Sequence, residues 1–221
     1  CDWSSDVCSS DLDTVQLQTN NIIEDKYVIK DMIPRGIVYK TYIVAENEDG
    51  MYLIDQHAAA ERVNYEKCLK KILNPTIETI PLLIPISIEL PRNEYIVVKN
   101  HLDLLESIGI KCEEFGENTF IVRSHPTWLH ENVEKQDIEK IFELIAHNES
   151  FDKNKFIDHA AATMACRMSI KANDYITLDE AKYLLDCLRQ CDNPFNCPHG
   201  RPTIITYTKY DLEKMFKRVM D

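Results

Sequence analysis

The stretch that decides the fold runs from residue 36 to residue 61 and reads GIVYKTYIVAENEDGMYLIDQHAAAE. Two β-rich segments, GIVYKTYIVA and MYLI, flank a turn at Glu48-Asp49-Gly50, and this pattern predicts a hairpin. Good helix formers with apolar residues at helical spacing follow from His57 to Leu73, where Asn74-Pro75 ends them. The hairpin therefore passes into a helix at Asp55, and ligand-type side chains lie at that junction.

The residues around this stretch mix strands and helices without regular alternation, which favours an α+β fold over a doubly wound sheet. Within 79–155 the pattern predicts a βαββ unit followed by a charged helix. We therefore interpret 79–155 as an insertion in a subdomain formed by 13–78 and 156–221. The individual predictions are strands at 27–30, 82–90 and 203–207, a hairpin at 110–123, helices at 94–107, 133–147, 156–170 and 177–190, and a last helix from 208.

Composition and charge limit the classes of function. The chain has 221 residues, 44% hydrophobic and 28% charged, as is typical of soluble globular proteins. No apolar run approaches the roughly 18 residues that a membrane-spanning helix needs, so no membrane partner is expected. The formal net charge of −12 argues against tight binding of nucleic acid by this chain alone.

The cysteines indicate a reducing compartment. Eight cysteines occur without a secretory signal segment, so we expect a cytoplasmic protein rather than a disulfide framework. Residues 1–12, CDWSSDVCSSDL, share no pattern with the rest of the chain and are interpreted as a non-native, adapter-like segment. Cys1 and Cys8 are therefore excluded from the chemistry.

Asp55, His57 and Glu61 form the first candidate site. Because the helix begins near His57, its imidazole and the Glu61 carboxylate lie on one face, with Asp55 just before them. The short alanines between them leave room for a metal ion or a substrate. A structural interpretation stays open, in which Asp55 caps the helix, His57 is a polar residue at its start and Glu61 is solvated.

The second candidate site is Cys197-Pro198-His199-Gly200-Arg201-Pro202, where prolines and a glycine exclude regular helix. A thiolate and an imidazole two residues apart can bind one Zn²⁺ ion. Two alternatives stay open. Cys187 and Cys191 could complete a self-contained zinc site with Cys197 and His199, or Cys197 could be a nucleophile paired with His57 or His199.

Cys166 lies on an alanine-rich predicted helix, seven residues after His159 and on about the same face. By itself it is most simply a buried structural cysteine, and Arg167 a surface or partner-pairing charge. The chain has only five glycines, no glycine-rich phosphate loop and no G-x-S-x-G elbow. These absences argue against a nucleotide-binding fold and a serine hydrolase.

Four motifs, in order over residues 55–218, resemble the C-terminal domain of bacterial MutL-type mismatch-repair proteins that nick DNA. D-Q-H-A-x2-E-x4-E is matched by Asp55 to Glu66, and A-C-R by Ala165-Cys166-Arg167. C-P-H-G-R-P stands at 197–202 and F-x-R at Phe216-Lys217-Arg218. The set of four is far more specific than any one motif.

The resemblance implies a metal-dependent endonuclease that hydrolyses one DNA strand, with Asp55 and Glu61 as catalytic residues. Zn²⁺ would occupy the thiolate and imidazole positions, and Mn²⁺ or Mg²⁺ the carboxylates, with Glu61 bridging. Glu66 would support the ligands from the next helical turn, and Arg167 or Arg201 would contact a phosphate oxygen. The implied metal ligands are Asp55, His57, Glu61, Cys166, Cys197 and His199.

The resemblance also implies partners. It indicates a two-fold homodimer formed by the subdomain of 13–78 and 156–221. It also implies that DNA is the substrate and that an ATPase domain lies elsewhere in the full-length protein. The full-length protein would associate with the nucleoid during repair. A sliding clamp would bind the regulatory insertion at 80–85, through Leu82, Leu83 and Pro85. Ile80 replaces the glutamine expected there, and a core strand with edge prolines is the competing interpretation.

A second class of function fits the same motifs: a catalytically silent, zinc-stabilised module for dimerisation and partner docking. Asp55 favours the enzyme, because His57, Glu61, Cys197 and His199 would satisfy a structural zinc without it. The self-contained zinc site predicts instead that His57 and Glu61 can be replaced without loss of metal.

Overall fold

The computed structural model describes residues 29–74, 76–129, 134–147, 152–169 and 174–219. The segment interpreted as adapter-like, 1–12, and the first half of the predicted strand at 27–30 lie outside these residues. Within them the fold is α+β, as predicted, with two antiparallel sheets and seven helices. None of the described helices is long and apolar enough to cross a membrane.

The elements fall into three consecutive groups. The first contains β1 (Ile33–Val38), β2 (Tyr42–Asn47), β3 (Gly50–Asp55) and α1 (Gln56–Ile72). The second contains β4 (Thr79–Glu89), α2 (Arg92–Lys99), α3 (Leu102–Ser107), β5 (Lys111–Glu114), β6 (Thr119–Pro126) and α4 (Glu134–Ala146). The third contains α5 (Lys153–Met168), α6 (Leu178–Arg189), β7 (Ile204–Thr208) and α7 (Lys209–Met215).

Strands from both ends of the chain form the first sheet, in the order β1-β2-β3-β7. The second sheet, β4-β6-β5, lies wholly within the predicted insertion 79–155. Because β7 pairs with β3, the segment before β7 is brought to the end of β3, where α1 begins. The first two candidate sites of the sequence thereby become neighbours.

Each sheet has its own apolar core, and α1 contributes to both. The first core places Ala59, Ala60 and Val63 of α1 against the four-stranded sheet and α6. The second joins Cys68 and Ile72 of α1 to the three-stranded sheet, α2 to α4 and the buried face of α5. Helices α1 and α5 pack on each other. Helix α1 carries His57 and Glu61, and α5 carries Cys166.

Local sequence signals explain several helix starts. Asp55 caps α1, and Thr177 and Thr208 form capping boxes at the starts of α6 and α7. Three predictions differ from the structure. The β-rich segment GIVYKTYIVA is not one strand of the hairpin, because a turn at residues 39–41 divides it between β1 and β2. The helix predicted at 94–107 is two helices, because His101 has non-helical backbone angles, and residues 29–30 precede β1 rather than forming a strand.

Candidate metal centre

The start of α1 is fixed by Asp55, the last residue of β3. Its Oδ1 accepts hydrogen bonds from the backbone N–H groups of His57 at 2.9 Å and Ala58 at 3.0 Å. The backbone N–H of Asp55 in turn donates to the carbonyl of Thr203 at 3.0 Å. One residue therefore sets the direction of α1 and holds the segment that precedes β7 beside it.

Glu61 lies at the centre of the site, with only 1% of its surface exposed. Its Oε1 is 3.2 Å from His57 Nε2, one helical turn earlier, and its Oε2 is 3.4 Å from His199 Nδ1. The two carboxylate oxygens thus face two different imidazoles. This is the arrangement of a carboxylate that can bridge two ions.

Two groups of ligand atoms share this carboxylate. One consists of His57, Glu61 and Cys166, and the other of Glu61, Cys197 and His199, with the atoms of each group within 4.8 Å of one another. Ligand atoms of a tetrahedral zinc site lie roughly 3.3–3.8 Å apart, given bonds of about 2.0–2.3 Å. The two carboxylate–imidazole separations, 3.2 and 3.4 Å, are close to this spacing. The mixture of thiol, imidazole and carboxylate donors fits Zn²⁺ in type.

The groups that surround Glu61 and Cys166 shift the pKa values of both side chains. Burial acts to raise the pKa of Glu61, but hydrogen bonds from the Cys166 and Cys197 thiols, together with His57 and His199, outweigh it and hold that pKa below its usual value. Cys166 is exposed, so the interpretation of it by itself as a buried structural cysteine is wrong. Partial desolvation and the Glu61 carboxylate raise the pKa of its thiol, against the opposing charge of Arg201. The carboxylate is thus kept ionised at the centre of its donors.

A tight turn presents Cys197 and His199. The N–H of Gly200 donates to the carbonyl of Cys197 at 2.9 Å, and the N–H of Cys197 donates to that of Arg201 at 2.9 Å. Gly200 has a φ of +83°, which a residue with a side chain rarely adopts. The glycine of the motif therefore allows the turn that places the thiol and the imidazole on the same side.

Glu66 and Arg62 hold the segment that leads into this turn. The Glu66 carboxylate accepts the N–H groups of Asp192 at 2.8 Å and Asn193 at 3.1 Å, and Arg62 Nε donates to the carbonyl of Asn196 at 2.5 Å. Glu66 thus contacts the segment before the Cys197 turn, and its role in supporting metal ligands stays a prediction. Arg62 was not identified from the sequence, although its place one helical turn before Glu66 was a usable signal.

The two candidate phosphate contacts differ in position. Arg167 donates from Nε to Asp137 Oδ1 at 2.5 Å, so its guanidinium is directed to α4 of the insertion. Arg201 is exposed, and its charge acts on the Cys166 thiol. Of the two, Arg201 is the one beside the ligands. Asp137, 30 residues from its partner, had no local signal in the sequence.

Some predicted combinations are not assembled among the described residues. Asp55 belongs to neither ligand group, so its helix cap is observed and its role as a metal ligand stays a prediction. Cys187 and Cys191 do not join Cys197 and His199 either. Cys197 lies within reach of His199, but its thiol is buried, which disfavours attack on a substrate.

The segment predicted to bind a clamp protrudes from an edge strand. The register of β4 against β6 shifts between Pro81 and Ile86, so the residues between them leave the ladder. Leu83 is 98% exposed, and Leu82 and Pro85 are half-buried. Because Leu83 is exposed, the segment as a whole is not a core strand. The contact with a clamp stays a prediction.

Comparison with known proteins gives consistent matches. Residues 35–176 match the family described as the MutL C terminal dimerisation domain. The chain is 46% identical over 205 residues to the DNA mismatch repair protein MutL of Shouchella clausii, covering 93% of this chain and 31% of that protein. For the MutL of Listeria welshimeri the identity is 44% over 205 residues, which cover 93% of this chain and 34% of that protein. For the MutL of Anoxybacillus flavithermus the identity is 41% over 224 residues, which cover 98% of this chain and 37% of that protein. The chain spans about a third of the length of these relatives.

Proposed function

Because the chain belongs to the MutL family and contains its C-terminal dimerisation domain, we propose that it is a metal-dependent endonuclease module that nicks one strand of DNA in mismatch repair. One observation carries the proposal: the buried carboxylate of Glu61 faces two donor groups through different oxygens. A structural zinc needs only one closed set of four ligands. Two sets that share a carboxylate favour two ions and therefore catalysis.

The ligands divide between the two ions by their chemistry. Cys197 and His199, with one oxygen of Glu61, would hold Zn²⁺, which prefers sulfur and nitrogen donors. Asp55 and the other oxygen of Glu61 would supply oxygen donors to the second ion, which suit Mn²⁺ or Mg²⁺, and His57 and Cys166 lie close to that oxygen. A bound divalent ion lowers the pKa of its water and offsets the charge on the scissile phosphate.

The chain's own residues position these parts. Glu61 would hold the two ligand groups next to each other, because its carboxylate is buried and belongs to both of them. Arg201, exposed beside Cys166, would contact a phosphate oxygen of the DNA. A net charge of −12 makes unaided DNA binding weak, so the ATPase domain and a sliding clamp would deliver the DNA, and the isolated chain would nick slowly.

A second function has its own support. The cap made by Asp55 gives that residue a structural role without a metal, and the matching family is described as a dimerisation domain. A zinc-stabilised dimerisation and partner-docking module would use His57, Glu61, Cys197 and His199 and catalyse nothing. The two functions differ in whether the charge of Asp55 matters.

The Asp55→Asn variant separates them. Asparagine caps helices about as well as aspartate, so the variant keeps α1 and loses only the charge. The measurement is nicking of supercoiled plasmid with Mn²⁺ at low salt, with zinc content determined in parallel. Asp152→Asn is the matched control, because Asp152 caps α5 in the same way and lies outside both ligand groups.

Nicking that disappears in Asp55→Asn, with zinc retained and the Asp152→Asn variant still active, would support the endonuclease. Equal traces of nicking in both variants and the parent chain would indicate a contaminating nuclease. That result, or no nicking even with clamp and ATPase domain supplied, would favour the dimerisation module.

A further inference from the structure

The turn between β1 and β2 has an unusual backbone. Tyr39 and Lys40 both have a φ of +53°, and the N–H of Thr41 donates to the carbonyl of Val38 at 3.1 Å. Hairpin turns with two such residues normally carry Asn-Gly, because side chains are strained there. Tyr39 is 84% exposed, so no apolar packing of its ring compensates for this strain. Strain kept at an exposed position is a reason to look for function.

The turn lies at the same end of the sheet as the candidate metal centre. Val38 pairs with Tyr42, and Tyr42 pairs with Asp55, the residue that caps α1. The carbonyl of Thr203, just before β7, accepts the N–H of Asp55 at 3.0 Å. The turn, the start of α1 and the Cys197 turn therefore line one edge of the molecule.

Gln56 attaches the turn to the helix that carries His57 and Glu61. Its side chain is fully buried, and Nε2 donates to the carbonyls of Lys40 at 2.6 Å and Asp174 at 3.1 Å. Its backbone N–H donates to the carbonyl of Thr41 at 3.0 Å. One amide next to His57 thus fixes both the turn and the segment at Asp174.

The segment at Asp174 brings a second exposed tyrosine to this edge. Tyr175 follows Asp174 directly and is 74% exposed. Tyr39, Lys40 and Tyr175 therefore lie on two backbone segments that the same side chain holds together. They offer two phenol hydroxyls and one ammonium group to solvent beside the metal centre. We call these three residues the tyrosine–lysine edge.

We propose that the tyrosine–lysine edge binds the phosphate backbone of the DNA strand next to the position that is cut. The inference rests on the proposed nicking function. Lysine and tyrosine side chains are frequent phosphate contacts, and such contacts position DNA without reading its sequence. The chain has a net charge of −12. An exposed lysine whose backbone is anchored to the start of α1 is therefore a place where a polyanion would gain affinity.

Photocrosslinking tests the contact without requiring cleavage. We would place p-benzoylphenylalanine at Tyr39, at Tyr175 and, as a control, at the similarly exposed Tyr183 of α6, each in a Glu61→Gln background with a fluorescent DNA duplex. The expected result is a DNA adduct from the first two positions, at least fivefold above the third. Equal adducts from all three positions, or none from Tyr39, would overturn the inference. An adduct between two protein chains in place of DNA would also overturn it and would assign the edge to the dimer.

Salt dependence gives a second readout. Loss of one phosphate contact lowers the slope of log affinity against log salt by about 0.9. Lys40→Ala should show this change in duplex binding, with a higher KM for plasmid and a nearly unchanged kcat. Lys111→Ala on β5 removes the same charge from the insertion and should leave the slope unchanged. Equal slopes in the two variants would contradict the inference. Failure of nicking in every protein, with the Lys40 effect on binding intact, would reject the endonuclease and keep the DNA contact.

Discussion

Arg167 Nε donates to Asp137 Oδ1 at 2.5 Å, and this ion pair joins α5 to α4. The Asp137 carboxylate is fully buried, while the Arg167 side chain is one-third exposed. Arg167 also follows Cys166, a member of one ligand group. The helix end that carries a candidate metal ligand is therefore tied to the inserted unit by a charge pair.

Removing this pair should weaken the fold. We expect Arg167→Ala to lower the free energy of unfolding in urea by about 3 kcal/mol, because it takes a cationic partner from a buried carboxylate. Arg123→Ala is the control, since its pair with Glu113 is exposed and should contribute less than about 1 kcal/mol. Equal losses in the two variants would show that Arg167 is an ordinary surface charge.

Glu66 should control zinc affinity without binding zinc. Its carboxylate accepts the N–H groups of Asp192 and Asn193, which precede the Cys197 turn. Glu66→Gln keeps the size of the side chain but replaces one acceptor oxygen by a donor. Loss of a supporting partner of this kind usually lowers metal affinity about 10–100-fold. We therefore expect Glu66→Gln to bind zinc more weakly by a factor of that size, measured by competition with a chelator.

The control for this change is Glu106→Gln on α3, an exposed carboxylate of the insertion. It should leave zinc affinity as it is. A Glu66→Gln variant that unfolds more easily but binds zinc as tightly as the parent would contradict the prediction. It would limit Glu66 to a role in stability.

The sequence predicts contacts that depend on local spacing and misses those that do not. His57 and Glu61 could be placed on one face because a helix has a fixed period, and the cap at Asp55 follows from its position before that helix. The pair of Arg167 with Asp137 depends on how α4 packs on α5. No local pattern encodes that packing, just as none encodes the anchoring of Lys40 by Gln56.

The residues of the two ligand groups could be identified from local motifs, but their proximity could not. The motifs at 55–61 and 197–202 could be recognised separately, but their distance depends on the pairing of β7 with β3. That pairing spans most of the chain, so only the resemblance to a known family allowed the residues to be grouped in advance. The break of the predicted helix 94–107 near His101 shows the opposite limit, where amphipathic periodicity continued across a real interruption.

The outward face of the first sheet should form the dimer. Val44, Leu53 and Ile205 lie opposite one another on β2, β3 and β7, while the alternate residues of these strands face α1 and α6. We expect Leu53→Asp to weaken the homodimer at least 100-fold in sedimentation equilibrium, since the interface would bury an unpaired carboxylate. Ile96→Asp on α2 is the control and should leave the dimer intact. Dimers of equal strength in both variants would place the interface on another face.

The protruding part of β4 should be the clamp contact. Residues 82–85 leave the ladder but are held at both ends by pairing with β6, so little conformational entropy would be lost on binding. Leu83 is almost wholly exposed, and we expect Leu83→Ala to weaken binding of the sliding clamp about tenfold in surface plasmon resonance. Ile80→Gln introduces the glutamine that the resemblance implies at this position and should strengthen binding. Ile96→Ala, also exposed on the insertion, should change nothing. If Ile80→Gln and Leu83→Ala both left clamp affinity at the level of the parent, the protrusion would have no part in clamp binding, and delivery of DNA would fall to the ATPase domain.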